Sequence, residues 1–304
     1  MVQNLAVLRF GNSIFEPLWG RQNVRAVVIS FKEPFGVEGR GGYFDSYGIV
    51  RDVLQNHLLQ VMSLFAMEPP VSLESNDMRD EKVKLLRAVP PIDPADCVLA
   101  QYAGYTEHDD VPDDSKTPTF ASCVLHVNNG RWRDVPFILK AGKALNERKV
   151  EIRMQFHRNP IRIFGDDITD NELVVRLQPD EAIYMKVNTK VPGLLPKVST
   201  VELDLSIKDR FEGQWIPDAY ERLLYDVLRG EQSQFVRDDE LTEAWRIFTP
   251  LLHHSESAAA PKPVVYDRGT RGPEDADALA ARVGYRYADG KYRWTKGQKE
   301  TPSL

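Results

Sequence analysis

Two groups of residues have the types and spacing to do chemistry. In the string RDVLQNHLLQ, His57 follows Asp52 by five positions. An imidazole neutral near pH 7 with a carboxylate nearby is the material of a general base in a partly buried cleft. The same pair also suits a core histidine with one satisfied nitrogen, and an aspartate that serves only the first amides of a helix. The second group is KAGKALNERKVEIR, in which Lys140, Lys143, Arg148, Lys149 and Arg153 put five cations into fourteen residues of a chain whose net charge is -6. A phosphomonoester, nearly dianionic and rich in acceptor oxygens, is what such a turn would hold. The alternative is a solvated turn partly neutralised by Glu147 and Glu151.

Other chemistries have little support. Gly39 and Gly41 stand at the first two positions of a dinucleotide-binding GxGxxG, but Phe44 takes the third and no strand-to-helix turn follows. CxxC, HExxH and GxSxG are missing from the sequence, which argues against metal and acyl-transfer sites. Cys97 and Cys123, both in apolar runs, predict reduced thiols and no disulfide. A pI near 5.6 disfavours nucleic acid or an anionic membrane as partner, and no apolar stretch approaches the length of a membrane span. The last three residues, Pro302, Ser303 and Leu304, depart from the peroxisomal SKL address at the middle position. The cytoplasm is the expected compartment, with a peroxisome-like organelle as the minor alternative.

The elements that must position these groups follow from periodicity. The first sixteen residues, with Leu5, Leu8, Phe10 and Ile14 near helical spacing, predict a helix with no capping residue before it. AVVISF, Ala26 to Phe31, predicts a buried strand leading into the glycine-rich EGRGG loop. Asp45 to Glu68 predicts one helix, with Val50, Leu54, His57, Leu58, Val61 and Phe65 on a single stripe and Pro69-Pro70 as its stop. A shorter helix is expected around Asp80 to Arg87, and Tyr105 to Thr119, with four aspartates and two prolines, as an exposed loop.

From Lys149 onward the period changes to two. Val150, Ile152, Met154 and Phe156 alternate with polar residues, as do Leu173, Val175 and Leu177, then Val201, Leu203 and Leu205. With AVVISF, Cys123 to Val127 and Pro136 to Leu139, these predict a large, mostly antiparallel sheet with one apolar face. Two helices are available to cover that face. One opens at Pro217-Asp218 and carries Tyr220, Leu223, Leu224, Val227 and Leu228; the other opens at Asp238 and carries Leu241, Trp245, Phe248 and Leu252. The expected class is α+β, helices on one face of the sheet, with residues 1–304 as one domain. Residues 256–304 are expected to form a tail whose aromatics, Tyr285, Tyr287, Tyr292 and Trp294, return to the sheet.

Several strings in order resemble the glucose-6-phosphate dehydrogenase family: FKEPFGVEGRGGYFDSYGIVRDVLQNHLLQ, VPFILKAGKALNERKVEIRMQF, ELVVRLQPDEAIY, PDAYERLLYDVLRGEQSQFVRDDELTEAWRIFTPLL and RGPEDADAL. The resemblance implies that His57 is the base that takes the proton from the sugar's C1 hydroxyl while C1 gives hydride to NADP. Partial desolvation on its apolar stripe would help to keep the imidazole neutral. It implies contacts from Glu33 and Asp52 to sugar hydroxyls, and substrate-binding roles for Lys143 and Arg148. Many eukaryotic members hold a second, structural NADP on the sheet. The matching positions are Lys140, Lys149, Arg153, Arg176, Gln178, Tyr184, Lys186, Asp204, Arg271, Tyr287 and Trp294. The alternative for these is a polar sheet face with cross-strand pairs to Glu202 and Asp204.

Family members begin with a Rossmann domain and a segment resembling RIDHYLGKE, and this sequence starts after both. The resemblance therefore implies the substrate-side portion of a dehydrogenase of the pentose phosphate pathway, inactive alone, that forms a homodimer or homotetramer through its sheet. The competing expectation is a non-catalytic NADP-binding and dimerisation module.

Overall fold

A computed structural model describes residues 4–287 except 162, 166, 167, 212 and 216. The first half of the chain forms α1 (Asn4–Phe10), β1 (Val24–Lys32), α2 (Gly41–Ile49), a π-helical segment (Val50–Leu58), α3 (Leu59–Ala66), α4 (Ser75–Arg87), β2 (Cys97–Tyr102), β3 (Phe120–Leu125) and β4 (Phe137–Gly142). There follow β5 (Lys149–Phe156), β6 (Glu172–Gln178), β7 (Ala182–Lys190), β8 (Val198–Ser206), α5 (Ile207–Arg210), α6 (Ala219–Arg229), α7 (Asp238–Glu256), β9 (Val264–Tyr266) and α8 (Glu274–Arg282).

The strands make one nine-stranded sheet in the order β8-β7-β6-β5-β1-β4-β3-β2-β9. Six neighbouring pairs are antiparallel, whereas β1 with β4 and β2 with β9 run parallel. A parallel pair needs a long crossover, and α2, the π-helical segment, α3 and α4 lie in the one between β1 and β4. Alternation along β1 decides what each face meets. Val27 and Ile29 join the main core with Val50, Val53, Leu54, Leu58 and Phe65, while Ala26 and Val28 pack with Val124, Ile138, Leu279 and Tyr285. Leu279 belongs to α8, so helices cover both faces, and the expectation of helices on one face is corrected. AVVISF is apolar on both sides of its pleat and therefore needs cover on both.

The end of α3 shows how the core satisfies backbone groups. The indole N–H of Trp19 donates to Phe65 O and that of Trp132 to Ala66 O, each at 2.8 Å, and Arg9 reaches the Met67 carbonyl. These are carbonyls that a helix end leaves without intrahelical partners.

Other expectations change in detail. The first helix stops at Phe10, because Asn12 Nδ2 caps Val7 O and Leu8 O at 3.1 Å and a Cβ on Gly11 would meet Val7 O. The single helix over 45–68 is three segments. Gly48, at φ 68°, kinks the first junction, and Leu59 N donates to Leu54 O, an i→i−5 bond. The loop over 105–119 is not uniformly exposed, since Tyr105, Val111 and Thr119 are buried and fasten it to the core.

The helix over 219–229 forms with Asp218 as its cap, yet its apolar stripe does not cover the sheet. Tyr220, Leu224 and Leu228 are 79%, 64% and 86% exposed, and Leu203 on β8 is 62% exposed. Helical period specifies a stripe; it does not specify what the stripe meets. Of the tail, 264–266 pair with β2 and Tyr285 is buried, whereas Tyr292 and Trp294 lie outside the described residues. Among the described residues no helix is long and apolar enough to cross a membrane.

Candidate active site and polar sheet face

Glu33 and Lys143 come together because β1 and β4 are parallel neighbours. Lys32 is in register with Gly142, so the next residue of each strand emerges at the same edge, the carboxyl end of both. Lys143 Nζ lies 2.7 Å from Glu33 Oε2, and the two side chains are only 12% and 19% exposed. The ammonium also stands 5.1 Å from the centroid of Phe44 and 5.9 Å from that of Phe35, over ring faces that favour a cation. The result is a half-buried cation with one carboxylate beside it, able to meet an anionic or polyhydroxyl ligand at a strand edge.

The glycines that open α2 serve close approach. Asp110 accepts from Gly42 N at 2.8 Å, and a Cβ on Gly41 would overlap the Asp110 carboxylate. Further along α2, Asp45 accepts from Tyr105 Oη at 2.9 Å and from Ser115, while Thr117 Oγ1 donates to Asp45 O at 2.8 Å. These bonds anchor the helix just before the Gly48 kink.

His57 and Asp52 ride on the π-helical segment, which packs over β1 and β4. Val50, Val53, Leu54, Gln55 and Leu58 are the buried residues of that segment; His57 is exposed and Asp52 half-buried. The expected place of His57 on the apolar stripe is therefore corrected. The wider π turn changes the phase on which the stripe depended, and the desolvation that stripe implied is not found. Among the described residues the side chains of His57 and Asp52 make no hydrogen bond or ion pair. Arg148 is exposed in the turn before β5. Of the expected substrate residues, only Glu33 and Lys143 touch.

The strand residues of the second expected set share the opposite, polar face. Register places Arg153, Val174, Tyr184 and Asp204 in one row across β5 to β8, and Glu151, Arg176 and Ala182 in the next. Arg153 donates to Glu151 at 2.7 Å and to Glu172 at 3.0 Å; Lys149 lies 2.8 Å from Glu147, and Lys186 lies 3.6 Å from Glu172. Burial disfavours charge on Arg153, but Glu151 and Glu172 outweigh it and push its guanidinium well above the usual value. Burial would likewise raise Glu147, yet Lys149 and Lys32 hold it down at about 2. The Tyr184 phenol, buried behind Arg153, is pushed up to about 12. Gln178 and Asp204 are exposed.

Lys140, Lys149, Arg153, Arg271 and Tyr287 line one crevice beside α8, which encloses about 50 Å³, and Arg271 stacks 3.7 Å from the Tyr287 ring centroid. Burial lowers Lys140 to about 8 despite Asp277 at 3.5 Å. Lys32, Glu151 and Tyr285 also line it and were missed from the sequence. The alternation of Ser30 and Lys32 with Ile29 and Phe31 could have found Lys32; nothing local marks Tyr285. Trp294 lies outside the described residues.

Residues 6–288 match the family model described as "Glucose-6-phosphate dehydrogenase, C-terminal domain". The glucose-6-phosphate 1-dehydrogenase of Dictyostelium discoideum is 54% identical over 303 residues, covering 97% of this chain and 61% of that protein. That of Takifugu rubripes is 55% identical over 305 residues, covering 97% of this chain and 57% of that protein. A solved glucose-6-phosphate dehydrogenase in complex with its substrate glucose-6-phosphate superposes with a TM-score of 0.90 at 49% identity, over 94% of this chain and 61% of that one. The Mycobacterium avium glucose-6-phosphate 1-dehydrogenase structure gives 0.83 at 38% identity, over 95% and 61%. The chain thus spans 57–61% of the length of these curated relatives. Sequence and fold agree, and the chain belongs to the glucose-6-phosphate dehydrogenase family, where it corresponds to the C-terminal domain.

Proposed function

We propose that this chain is the substrate-side part of an NADP-dependent glucose 6-phosphate dehydrogenase, acting in the cytoplasm in the pentose phosphate pathway. The observation that carries the proposal is the Lys143–Glu33 pair at the carboxyl edge of the two parallel strands, in a chain of this family. Lys143 and Arg148 hold the anionic substrate, and Glu33 and Asp52 take sugar hydroxyls. His57 accepts the proton of the C1 hydroxyl at an imidazole nitrogen, and its exposure on the helix layer leaves it open to a substrate lying over the strand ends. NADP, when bound, takes the hydride that leaves C1 as the lactone carbonyl forms.

The polar face suits a second NADP. Lys140, Lys149, Arg153, Arg176 and Lys186 supply cations, Arg271 and Tyr287 a stacking surface, and Gln178, Tyr184 and Asp204 polar groups on the same strands. Five of these residues already line one crevice, so the donor set fits a dinucleotide phosphate in type and placement. The exposed Leu203 of β8 and the α6 stripe support assembly into a homodimer or homotetramer through this end of the sheet. They also favour the second reading, a module that binds NADP and dimerises without catalysis.

The two readings separate on one measurement. In the protein at the full length of its relatives, NADPH formation from glucose 6-phosphate is expected, and Lys143→Ala should raise KM for the sugar phosphate by about tenfold or more, the scale of a charge-assisted hydrogen bond. Substrate-independent NADP binding with no turnover supports the module instead.

A further inference from the structure

The turn that carries Lys143 is held from a distant part of the chain. Lys143 N donates to Thr119 O at 3.0 Å, and Lys143 O accepts from the hydroxyl of Tyr266 at 2.6 Å, across 123 positions of sequence. The next residue, Ala144, is buried and sits at φ 52°, a left-handed conformation that a residue with a Cβ takes up only when its surroundings impose it. They do so from two sides. Ala144 N donates to Phe35 O and Leu145 N to Glu33 O, each at 2.8 Å, on the side of the first strand. Gly269 N donates to Ala144 O and Asn146 N to Thr270 O, each at 2.8 Å, on the side of the tail.

The tail segment is also held elsewhere, since Ala103 N donates to Tyr266 O at 2.9 Å and Arg268 pairs with Glu38 at 2.6 Å. β9 pairs with β2 over three residues at the edge of the sheet, and Val264 and Val265 are 44% and 66% exposed. Tyr266 is the residue that goes inside, at 4% exposure. Its ring meets Phe120 at 5.6 Å and Tyr102 at 6.5 Å edge-on, and its oxygen lies 3.1 Å from Thr119 Oγ1, which itself accepts from Tyr102 N. Burial raises the phenol above its ordinary value, which keeps the hydroxyl protonated and able to donate near neutral pH.

We infer that Tyr266 is a positioning residue for substrate. By holding the Lys143 carbonyl against the edge of β3, it fixes the backbone from which the ammonium reaches Glu33 and the anionic sugar. The segment from Val264 to Thr270 is accordingly a strap that sets affinity for the sugar phosphate and leaves affinity for NADP alone. The inference rests on the reading of Lys143 as a substrate-binding residue.

Tyr266→Phe tests it, because phenylalanine keeps the ring contacts and Thr119 Oγ1 keeps its bond from Tyr102 N. In the full-length protein the substitution should raise KM for glucose 6-phosphate about three- to tenfold, the worth of one hydrogen bond, with kcat and KM for NADP unchanged within about twofold. Lys143→Gln is measured in parallel, together with the double variant. Once the ammonium is gone, Tyr266→Phe should add no further rise in KM, a coupling that loss of packing alone does not produce. If Lys143→Gln leaves KM for the sugar phosphate unchanged, the substrate role of Lys143 is what fails. If Lys143→Gln raises that KM and Tyr266→Phe does not, the strap is overturned. A Tyr266→Phe protein that does not fold, or that weakens both substrates alike, overturns it as well and reduces Tyr266 to a core side chain.

Discussion

Lys143 Nζ and Glu33 Oε2 lie 2.7 Å apart, although 110 positions separate the two residues, because each is the first residue beyond one of two adjacent parallel strands. In a sheet whose other strands around this pair are antiparallel, that one parallel pair gives two carboxyl ends at the same edge. A polar ligand finds both side chains there at the rim of a rigid sheet, where strand spacing brings the two backbones together and the turn at Lys143 aims the ammonium.

The isolated chain is expected to show no dehydrogenase activity. A nicotinamide must be held within near-attack distance of C1, and the sequence carries no complete dinucleotide fingerprint to hold it there. Purified chain, glucose 6-phosphate and NADP are mixed and NADPH absorbance is followed; turnover at a rate usual for an enzyme of this class refutes the expectation.

His57→Asn, in the protein at full length, should lower kcat by roughly 10² to 10⁴ with little change in KM, since proton removal belongs to the transition state. A loss smaller than about threefold would mean that this exposed imidazole is not the base.

NADP should stabilise the chain through the crevice beside α8. A ligand that binds only the folded form adds about 2.7 kcal/mol at a hundredfold excess over Kd. Arg271→Ala removes the guanidinium stacked on Tyr287 while disturbing only a half-exposed pair with Asp277, so the melting-temperature rise with NADP should shrink in the variant. No shift in the parent at millimolar NADP returns this face to an ordinary polar sheet surface.

Lys140 gives a pH signature. Burial lowers it from 10.5 to about 8 in the folded chain. Below about 8 both folded and unfolded forms carry its proton; between about 8 and 10.5 the unfolded form binds it and the folded form does not, so this residue makes stability rise with pH across that window. The rise is up to about 3 kcal/mol, and Lys140→Met should abolish it while stabilising the chain at pH 7. Urea melts at pH 7, 8.5 and 10 check this, and parallel pH profiles for parent and variant would count against it.

Gly48→Ala should destabilise the chain by about 1–2 kcal/mol. Glycine is there for its φ of 68° at the junction between α2 and the π-helical segment, and a Cβ would also press on Thr117 Cγ2 at 3.2 Å. An unchanged urea midpoint would show that the kink relaxes without cost.

How far the sequence reached depends on the range of the forces involved. Period two along Val150 to Phe156 and Leu173 to Leu177 predicts strands correctly, because alternation is a local consequence of the pleat. Long strings shared with a family single out Glu33 and Lys143 as candidate site residues with no knowledge of their contact. Tertiary structure alone decided the rest. That β1 and β4 are parallel depends on a crossover whose path no local period encodes, and that pairing is what joins Glu33 to Lys143. The exposure of His57 goes with a π turn whose wider winding shifts the phase of the stripe that packs on β1 and β4. The hold of Tyr266 on Lys143 spans 123 positions and appears only once the edge of the sheet is built. Amphipathic period marks which side of α6 is apolar, but the burial of a stripe is a property of two surfaces, and one helix specifies only its own.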